Sequence, residues 1–444
     1  MAKYRKCLRT GLIAGATTAY LLLFGALPAH AGTWFKAESA HFIVYSDAKE
    51  GIVQDYIAQM EAYDFAADQL FSDIGDSKLD SSGKLTFIYL AKSTDFQLVK
   101  PGMKKNAFYP ILSCRKYEPQ LFAVSDDDGA ELVDQRFNTR DLSYMFRSQT
   151  VNKIREYFSY NLPHWAYVGL QDYFMMTHVD GNKVLVGLPS LELMNDNGGV
   201  PERDPSSLLK PSPVANILPL RTIVESKAEN TSSSRLGRFE QWVLINYFLT
   251  DSSRKTKFLE YLARLSNGAD NWTAFTEATG MTDEQFKAIY TEYTHKGPPY
   301  LTYTMNVEFA GQTRVTHLKG ANNNAPLIAA ALQTCPASEY GQTLASQARV
   351  LLNTAPDDEA VLRANIIGEI DFGDPAKAAP LVDKLLQIES GSEIPLYLQG
   401  RMHLSLADKE AGDARAHDMV LAREAFGRAY QINPSSVSAN FSAR

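Results

Sequence analysis

The carboxyl-terminal third of this 444-residue chain carries the feature that most limits how it can fold, a set of three turn segments at repeat spacing. The segments begin at Asn353, Gln387 and Gln431, and alanine- and leucine-rich stretches lie between them. The first spacing matches a repeat period of about 34 residues, which predicts helix pairs that each bury an apolar face against the next pair. The second spacing is longer, and a polar insertion around Ala407 to His417 accounts for the difference.

The segment from Ala422 to Pro434 resembles the second helix and closing turn of a tetratricopeptide (TPR) repeat, which has the same period. Its small alanines allow helices to pack closely, and the Asn-Pro pair at its end closes the unit. The resemblance implies a TPR-like all-α domain over residues 321–444, and a plain bundle of helical hairpins is the alternative. Because the sequence stops at Arg444, soon after Pro434, we expect a repeat array that is truncated or completed by a partner.

Residues 1–31 have the parts of a secretory signal peptide. A basic start precedes a mostly apolar stretch from Leu12 to Leu27, and Ala29 and Ala31 occupy the small-residue positions of a cleavage site. The stretch is short for a bilayer span of about 20 residues, so we expect cleavage after Ala31 rather than an uncut anchoring helix. The mature chain is then expected in a bacterial periplasm or secreted, without a stable membrane span.

Charge and cysteine content argue against several classes of protein. The formal net charge of -7 argues against a nucleic-acid partner. Three cysteines are too few for a disulfide-rich scaffold or a cysteine-built zinc domain. Only Cys114 and Cys335 remain after signal cleavage, and an oxidising compartment permits a bridge between them. They lie far apart in the sequence, in different predicted domains, so we expect two buried free thiols instead.

The residues after the signal peptide mix strand and helix patterns before the chain becomes wholly helical. Trp34 to Tyr45 is typical of a strand pair or of one long strand that enters a sheet, and Lys84 to Ala91 of a buried strand. Between them, Gly51 to Phe71 has the apolar spacing of an amphipathic helix. The expected fold class is α+β/α, a mixed α/β domain followed by an all-α repeat domain. The predicted segments are a signal peptide over 1–31, an α/β subdomain over 32–140, a helical core over 141–300, a connecting segment over 301–320 and repeats over 321–444.

The centre of the chain resembles the gluzincin metallopeptidases, in particular bacterial periplasmic peptidase-like proteins that carry C-terminal TPR repeats. Between Asp141 and Pro189 a predicted helix is followed by PHW at 163–165, GL at 169–170 and DYF at 172–174, then by a turn and a strand. The family pattern has the same order: a helix with HExxH, then roughly PxW, then EGLAEYF, then a turn and a strand. The resemblance implies a gluzincin-like fold for the mixed α/β domain.

The same resemblance implies that the zinc site of the family is degenerate here. In that family two histidines one turn apart bind zinc, the glutamate between them is the general base, and a glutamate of the next helix completes the coordination. Counting back from Pro163, the first three positions fall on Arg147, Ser148 and Val151. The third-ligand position falls on Val168. Arginine repels a metal ion, valine has no lone pair and serine has no base strength, so we expect no metal and no cofactor.

Four further side chains are candidates for the same cleft. We expect His164 at a helix end or on the surface rather than as a ligand, and Trp165 near the cleft. Glu156 and Asp172 are the nearby acids, for which we expect a solvated helix face and a packing or capping role. Arg147 is able to bind a peptide carboxylate. We expect it instead to fill the place of the metal, paired with Asp172 or Glu156.

These observations predict a non-catalytic pseudo-peptidase, not an enzyme, that binds a protein or peptide partner. The TPR-like region is one binding surface, and the former cleft is another if it keeps an edge strand for an extended peptide. One alternative is an unusual hydrolase that uses Glu156 or Asp172. The other is a truncated relative without retained function, for which the abrupt end at Arg444 is the reason.

Overall fold

The computed structural model describes residues 34–76, 84–102, 111–124, 140–189, 217–227, 235–306, 312–318 and 324–434. The predicted signal peptide and the expected truncation beyond residue 434 lie outside the described residues.

A six-stranded mixed sheet lies between two layers of helices. Its strands are β1 (Phe35–Glu38), β2 (Phe42–Ser46), β3 (Leu85–Leu90), β4 (Ile111–Cys114), β5 (Tyr117–Val124) and β9 (Arg314–His317). Their order across the sheet is β4-β5-β3-β2-β1-β9. Strands β2, β3 and β5 run parallel, whereas β1, β9 and β4 pair with antiparallel neighbours. The strand pair and the buried strand expected at the start of the chain are therefore confirmed.

Both faces of this sheet are buried. On β3, Phe87 and Tyr89 point into one apolar core, whereas Ile88 and Leu90 point into the other. A strand that is covered on both sides needs a continuous apolar run instead of alternation, and the sequence LTFIYL of β3 has that character.

The first helical layer is built around α1 (Glu50–Ile74), α3 (Arg140–Tyr157) and α4 (His164–Met175). Helix α3 packs against both of the others. A three-stranded antiparallel sheet follows α4 and consists of β6 (His178–Asp180), β7 (Lys183–Val186) and β8 (Leu301–Thr304). The remaining α-helices in the described residues before position 300 are α2 (Phe96–Val99), α5 (Leu220–Val224), α6 (Arg235–Leu249), α7 (Ser252–Ser266), α8 (Asn271–Thr279) and α9 (Asp283–Lys296).

Side-chain caps explain where three of these helices begin. Asp251 accepts a hydrogen bond from the backbone N–H of Arg254 at 3.0 Å, and Asp270 caps α8 in the same way. Thr282 and Gln285 form a reciprocal capping box at the start of α9. These caps satisfy backbone donors that the first turn of a helix leaves without partners.

The second helical layer contains the carboxyl-terminal region. Its helices are α10 (Ala325–Gln333), α11 (Ser338–Leu352), α12 (Glu359–Phe372), α13 (Ala379–Ile388), α14 (Glu393–Ala407) and α15 (Gly412–Ile432). The polar insertion from Ala407 to His417 forms the turn after α14 and the exposed first turns of α15. The coarse prediction of a mixed α/β part followed by a helical part is confirmed.

Polar contacts join this second layer to the sheet. Lys36 of β1 lies 2.9 Å from a carboxylate oxygen of Glu359 on α12, and the hydroxyl of Tyr45 donates to the same carboxylate. The hydroxyl of Tyr117 on β5 donates to Asp371 at 2.7 Å. The sheet-facing surface of the helical region therefore contacts the sheet of the same chain.

The segment expected to be a connection contributes strands to both sheets. Strand β8 pairs with β7, and β9 pairs with β1 along its whole length, from Phe35 opposite His317 to Glu38 opposite Arg314. The chain therefore passes through both sheets before it enters the second helical layer.

The expectation of two buried free thiols is wrong, because Cys114 and Cys335 form a disulfide. Their Cα atoms lie 5.9 Å apart, within the range that a disulfide spans. The expectation rested on placing the cysteines in separate domains. In the fold, β4 lies beside the turn after α10, and Gln120 donates to Gln333 at 3.0 Å in the same region.

Candidate functional site

The positions expected from the gluzincin resemblance to form a degenerate zinc site lie on α3 and α4. The chain reverses over residues 158–163, and the two helices pack against each other. Helix α4 also packs very closely on α6, since a Cβ atom on Gly169 would lie 2.6 Å from Ile245 and 2.7 Å from the backbone oxygen of Gln241. Because glycine has no Cβ atom, Gly169 of the GL pair at 169–170 permits this close packing of α4 on α6.

Asp172, on α4, is held by Arg238 of α6. Its side chain is fully buried. Nε of Arg238 donates to Oδ2 of Asp172 at 2.9 Å, and Nη2 donates to Oδ1 at 2.5 Å. Such a two-point contact is the geometry in which an arginine satisfies a buried carboxylate. The pair joins α4 to α6 and gives Asp172 a clear structural function.

Arg147 reaches the same carboxylate from α3, but it forms no hydrogen bond to it. Its Nε atom lies 3.2 Å from Oδ1 of Asp172, and this atom is buried without a hydrogen-bond partner. A quarter of its side chain, 25 %, is exposed. Of the two acids expected as partners, the ion pair is with Asp172, whereas Glu156 lies 3.6 Å from Lys153.

The other three positions expected for that site lie on the same two helices as this ion pair. Ser148 and Val151 on α3 are half-buried, and so is Val168 on α4. Val151 follows Arg147 by one helical turn, and Val168 precedes Asp172 by one turn, so they lie on the same faces of their helices as the charged pair. Two aliphatic side chains and a serine are therefore partly exposed near one cation.

These residues do not fit a metal ion. Arg147, at the position expected for the first histidine ligand, carries a positive charge, and the nearest carboxylate already has two arginine partners. His164 is the first residue of α4 and is half-buried, and burial lowers its pKa. In the described ranges, no group of three or more His, Cys, Asp or Glu side chains is arranged to hold a metal.

Trp165 lies in the aromatic core beneath α4. It is fully buried and stacks on Tyr261, with 5.9 Å between ring centroids. Its indole N–H donates to the hydroxyl of Tyr261 at 3.0 Å. The rings of Phe258 and Phe275 meet it edge-on. The side chain therefore contributes packing energy and does not form part of the exposed surface.

A second cluster of charged side chains lies between α1 and α3. Nζ of Lys153 is 2.8 Å from Asp64 and 2.6 Å from Asp68, and Glu156 completes its set of acids at 3.6 Å. The side chains of Lys153 and Asp64 are each only 11 % exposed. The lysine therefore neutralises acids that would be unstable if buried alone.

His41, in the turn between β1 and β2, extends this cluster. Nδ1 of its ring lies 2.7 Å from Glu61 and 3.5 Å from Asp64. The hydrogen bond to Glu61 raises the pKa of His41. Burial raises the pKa of Asp64 despite the attraction of Lys153. The protonation states of these three side chains are therefore linked.

Of this cluster, only Glu156 was predicted from the sequence as a candidate site residue. A signal was present, because Asp64 lies four residues after Met60 and three before Ala67, within the apolar stripe of α1. A charged residue in a buried stripe requires a partner of opposite charge, and Lys153 is that partner.

No protein-family model matches the chain, and a search of curated proteins found no match. None of the helices in the described ranges is long and apolar enough to cross a membrane.

Proposed function

We propose that this chain is a non-catalytic binding protein on a gluzincin-like scaffold, a pseudo-peptidase with a TPR-like region. The observation that carries the proposal is the ion pair of Arg147 with Asp172. A guanidinium group stands where the family pattern has a zinc ligand, and its partner is an acid already fixed by Arg238. A positive charge in this place opposes metal binding but suits an anionic ligand.

The order of elements supports the gluzincin-like scaffold. A mixed sheet precedes α3, and the chain then continues through PHW at 163–165, α4 and the hairpin of β6 and β7. This is the order of the family pattern to which the sequence was compared. The close approach of α4 to α6 at Gly169 is a further reason for a glycine at that place in the motif.

The helix pairs of the second layer support the TPR-like assignment and also limit where a partner binds. A glycine at position 400 allows Phe426 of α15 to approach α14 closely, since a Cβ there would lie 2.6 Å from the ring. The sheet-facing surface is used by Glu359 and Asp371 for contacts within the chain. A protein partner would therefore contact the surface of the helical region that faces away from the sheet.

Export to the periplasm, or secretion, is part of the proposal. The signal-like segment over residues 1–31 is one reason. The disulfide between Cys114 and Cys335 is a second and independent reason, because disulfides persist mainly in oxidising compartments.

The proposal is tested with the purified chain of residues 32–444. After exposure to stoichiometric zinc and desalting, we expect substoichiometric zinc by mass spectrometry. Short N-acetylated peptides of randomised sequence should remain uncleaved after incubation, while a subset is retained by the protein in equilibrium dialysis. One tightly held zinc ion per chain, or cleavage that is lost in a Glu156→Gln variant, would instead show a hydrolase.

A further inference from the structure

We propose that Arg147 is a carboxylate-binding residue, and that the partly exposed surface of α3 and α4 recognises a peptide carboxylate beside an apolar side chain. The inference rests on the proposed binding function and specifies the chemistry of its ligand. It concerns the surface formed by Tyr144, Arg147 and Val151 on α3 with Val168 on α4.

The first step is that Asp172 does not use the donors of Arg147. Arg238 occupies both oxygens of this carboxylate, at 2.9 and 2.5 Å. Arg147 is left in ion-pair contact at 3.2 Å, with its Nε unsatisfied. A guanidinium group has five N–H donors, and among the described residues none accepts a hydrogen bond from this one.

The second step is that the guanidinium group of Arg147 is both held in place and partly accessible to a ligand. The side chain is three-quarters buried, and its Nε atom is inside. The exposed quarter then contains the terminal nitrogens, which form the fork that matches the two oxygens of a carboxylate. Asp172 holds the guanidinium in place without satisfying it, so little side-chain entropy remains to be lost on binding.

The third step concerns the surroundings of the fork. Tyr144, Val151 and Val168 are all half-buried, at helical spacings of three and four residues from Arg147 or from Asp172. Aromatic and aliphatic side chains next to one cation suit a carboxylate with a neighbouring apolar group. The carboxyl terminus of a peptide and the side chain of Asp or Glu share the carboxylate chemistry.

The experiment uses the chain of residues 32–444 and three pools of N-acetylated peptides of randomised sequence. The first pool has free C-termini and neutral side chains, the second is the same pool with amidated C-termini, and the third is amidated with one internal glutamate. Affinities are compared by equilibrium dialysis with mass spectrometry. We expect the free-acid peptides that bind to lose about tenfold or more in affinity when they are amidated, since a charge-assisted hydrogen bond is lost.

Variants on α3 test whether Arg147 causes the difference in affinity between free-acid and amidated peptides. Arg147→Gln should bring the affinity of the free-acid peptides down to that of the amidated ones. Arg155→Gln is the matched control, because Arg155 lies on the same helix and is exposed. Val151→Glu places a carboxylate one turn from Arg147 and should weaken binding without removing the arginine. Unchanged thermal unfolding temperatures show that the variants are folded.

Each outcome has a defined meaning. Binding of the third pool stronger than that of the first assigns the ligand carboxylate to an acidic side chain, equal binding shows that either carboxylate is accepted, and weaker binding assigns it to the C-terminus. Equal affinities for all three pools, or an unaltered preference in Arg147→Gln, overturn the role of Arg147 while the binding function stands. If no peptide of any pool is retained, the role of Arg147 in peptide binding is also overturned. Stoichiometric zinc or peptide cleavage refutes the binding function itself.

Discussion

Cys114 on β4 and Cys335 after α10 are joined by a disulfide that closes a loop across 221 positions of the sequence. The bond ties an edge strand of the sheet to the beginning of the second helical layer. The same two layers also meet through Lys36 and Glu359, so the covalent link lies within an interface that other contacts already form. Its effect is therefore expected on stability and not on whether the layers meet.

We expect the double variant Cys114→Ser/Cys335→Ser to lose about 2–5 kcal/mol of unfolding free energy, because a long closed loop restricts the unfolded chain. Urea denaturation followed by tryptophan fluorescence measures the loss. The oxidised wild type treated with reductant should match the variant. Equal stability of the oxidised wild type and the variant would contradict the prediction.

Asp172 provides a second prediction, since two guanidinium groups depend on it. Asp172→Asn leaves Arg238 without its two-point partner in a buried place, and we expect a loss of about 3–5 kcal/mol in unfolding free energy. Arg238→Gln should be similarly destabilising. Arg147→Gln should cost much less, because Arg147 makes no hydrogen bond to the carboxylate. A large loss in Arg147→Gln would show that the 3.2 Å contact is more important than its geometry indicates.

Elements that a short segment's own residue pattern specifies could be predicted from the sequence. Strand β3 is a continuous apolar run, and α1 has a clear apolar stripe. Strand β9 could not be predicted, since Arg314–His317 contains one apolar residue and its partner β1 begins at Phe35, far away in the sequence. Its pairing depends on the packing of the whole chain.

In the candidate site, too, features set by the local sequence were predicted, whereas contacts set by long-range packing were not. The motif order placed Arg147 and Asp172 on neighbouring helices, and that is where the structure has them. The role of Arg238 could not be inferred, because it depends on how α6 packs against α4. The cysteines were misjudged for a similar reason, since separate domains were assumed where one layer packs on the other.

A buried ion pair in the helical region allows a test of its packing. Arg363 donates to both oxygens of Glu389 at 2.9 and 2.5 Å, and the two side chains are 10 % and 7 % exposed. Glu389→Gln should cost about 3–5 kcal/mol in unfolding free energy, because it leaves a buried cation without its partner.

The exposed pair of Glu292 and Lys296 on α9 is the matched control. Its side chains are 58 % and 76 % exposed, and Glu292→Gln should cost about 0.3–0.5 kcal/mol. Chemical denaturation of both variants measures the contrast. Similar losses in the two variants would mean that the environment of Arg363 is far more hydrated than its burial indicates.

His41 should make stability depend on pH. Its hydrogen bond to Glu61 raises its pKa above the ordinary value of 6.5, so the protonated ring stabilises the folded state. This contribution is complete below pH 6.5 and is lost as the pH rises through the raised pKa. Asp64 and Lys153 lie in the same cluster, and their charges act on the ring in opposite directions.

The measurement is the unfolding free energy of the wild type and of His41→Gln across this pH range. The advantage of the wild type should shrink as the pH increases. NMR titration of the His41 ring gives the folded pKa directly, and in Glu61→Gln that pKa should decrease. A wild-type advantage that grows with pH would contradict the assigned direction.

Two glycines in helices should respond in opposite ways to the same substitution. A Cβ atom on Gly169 would meet the backbone oxygen of Gln241 at 2.7 Å, which cannot move without shifting α6. Gly169→Ala should therefore cost about 1–3 kcal/mol. Gly427 of α15 has no heavy atom within 4 Å of its added Cβ, so Gly427→Ala should stabilise by about 0.5–1 kcal/mol. Thermal unfolding of both variants measures the difference, and equal shifts would mean that α4 and α6 do not approach as closely as described.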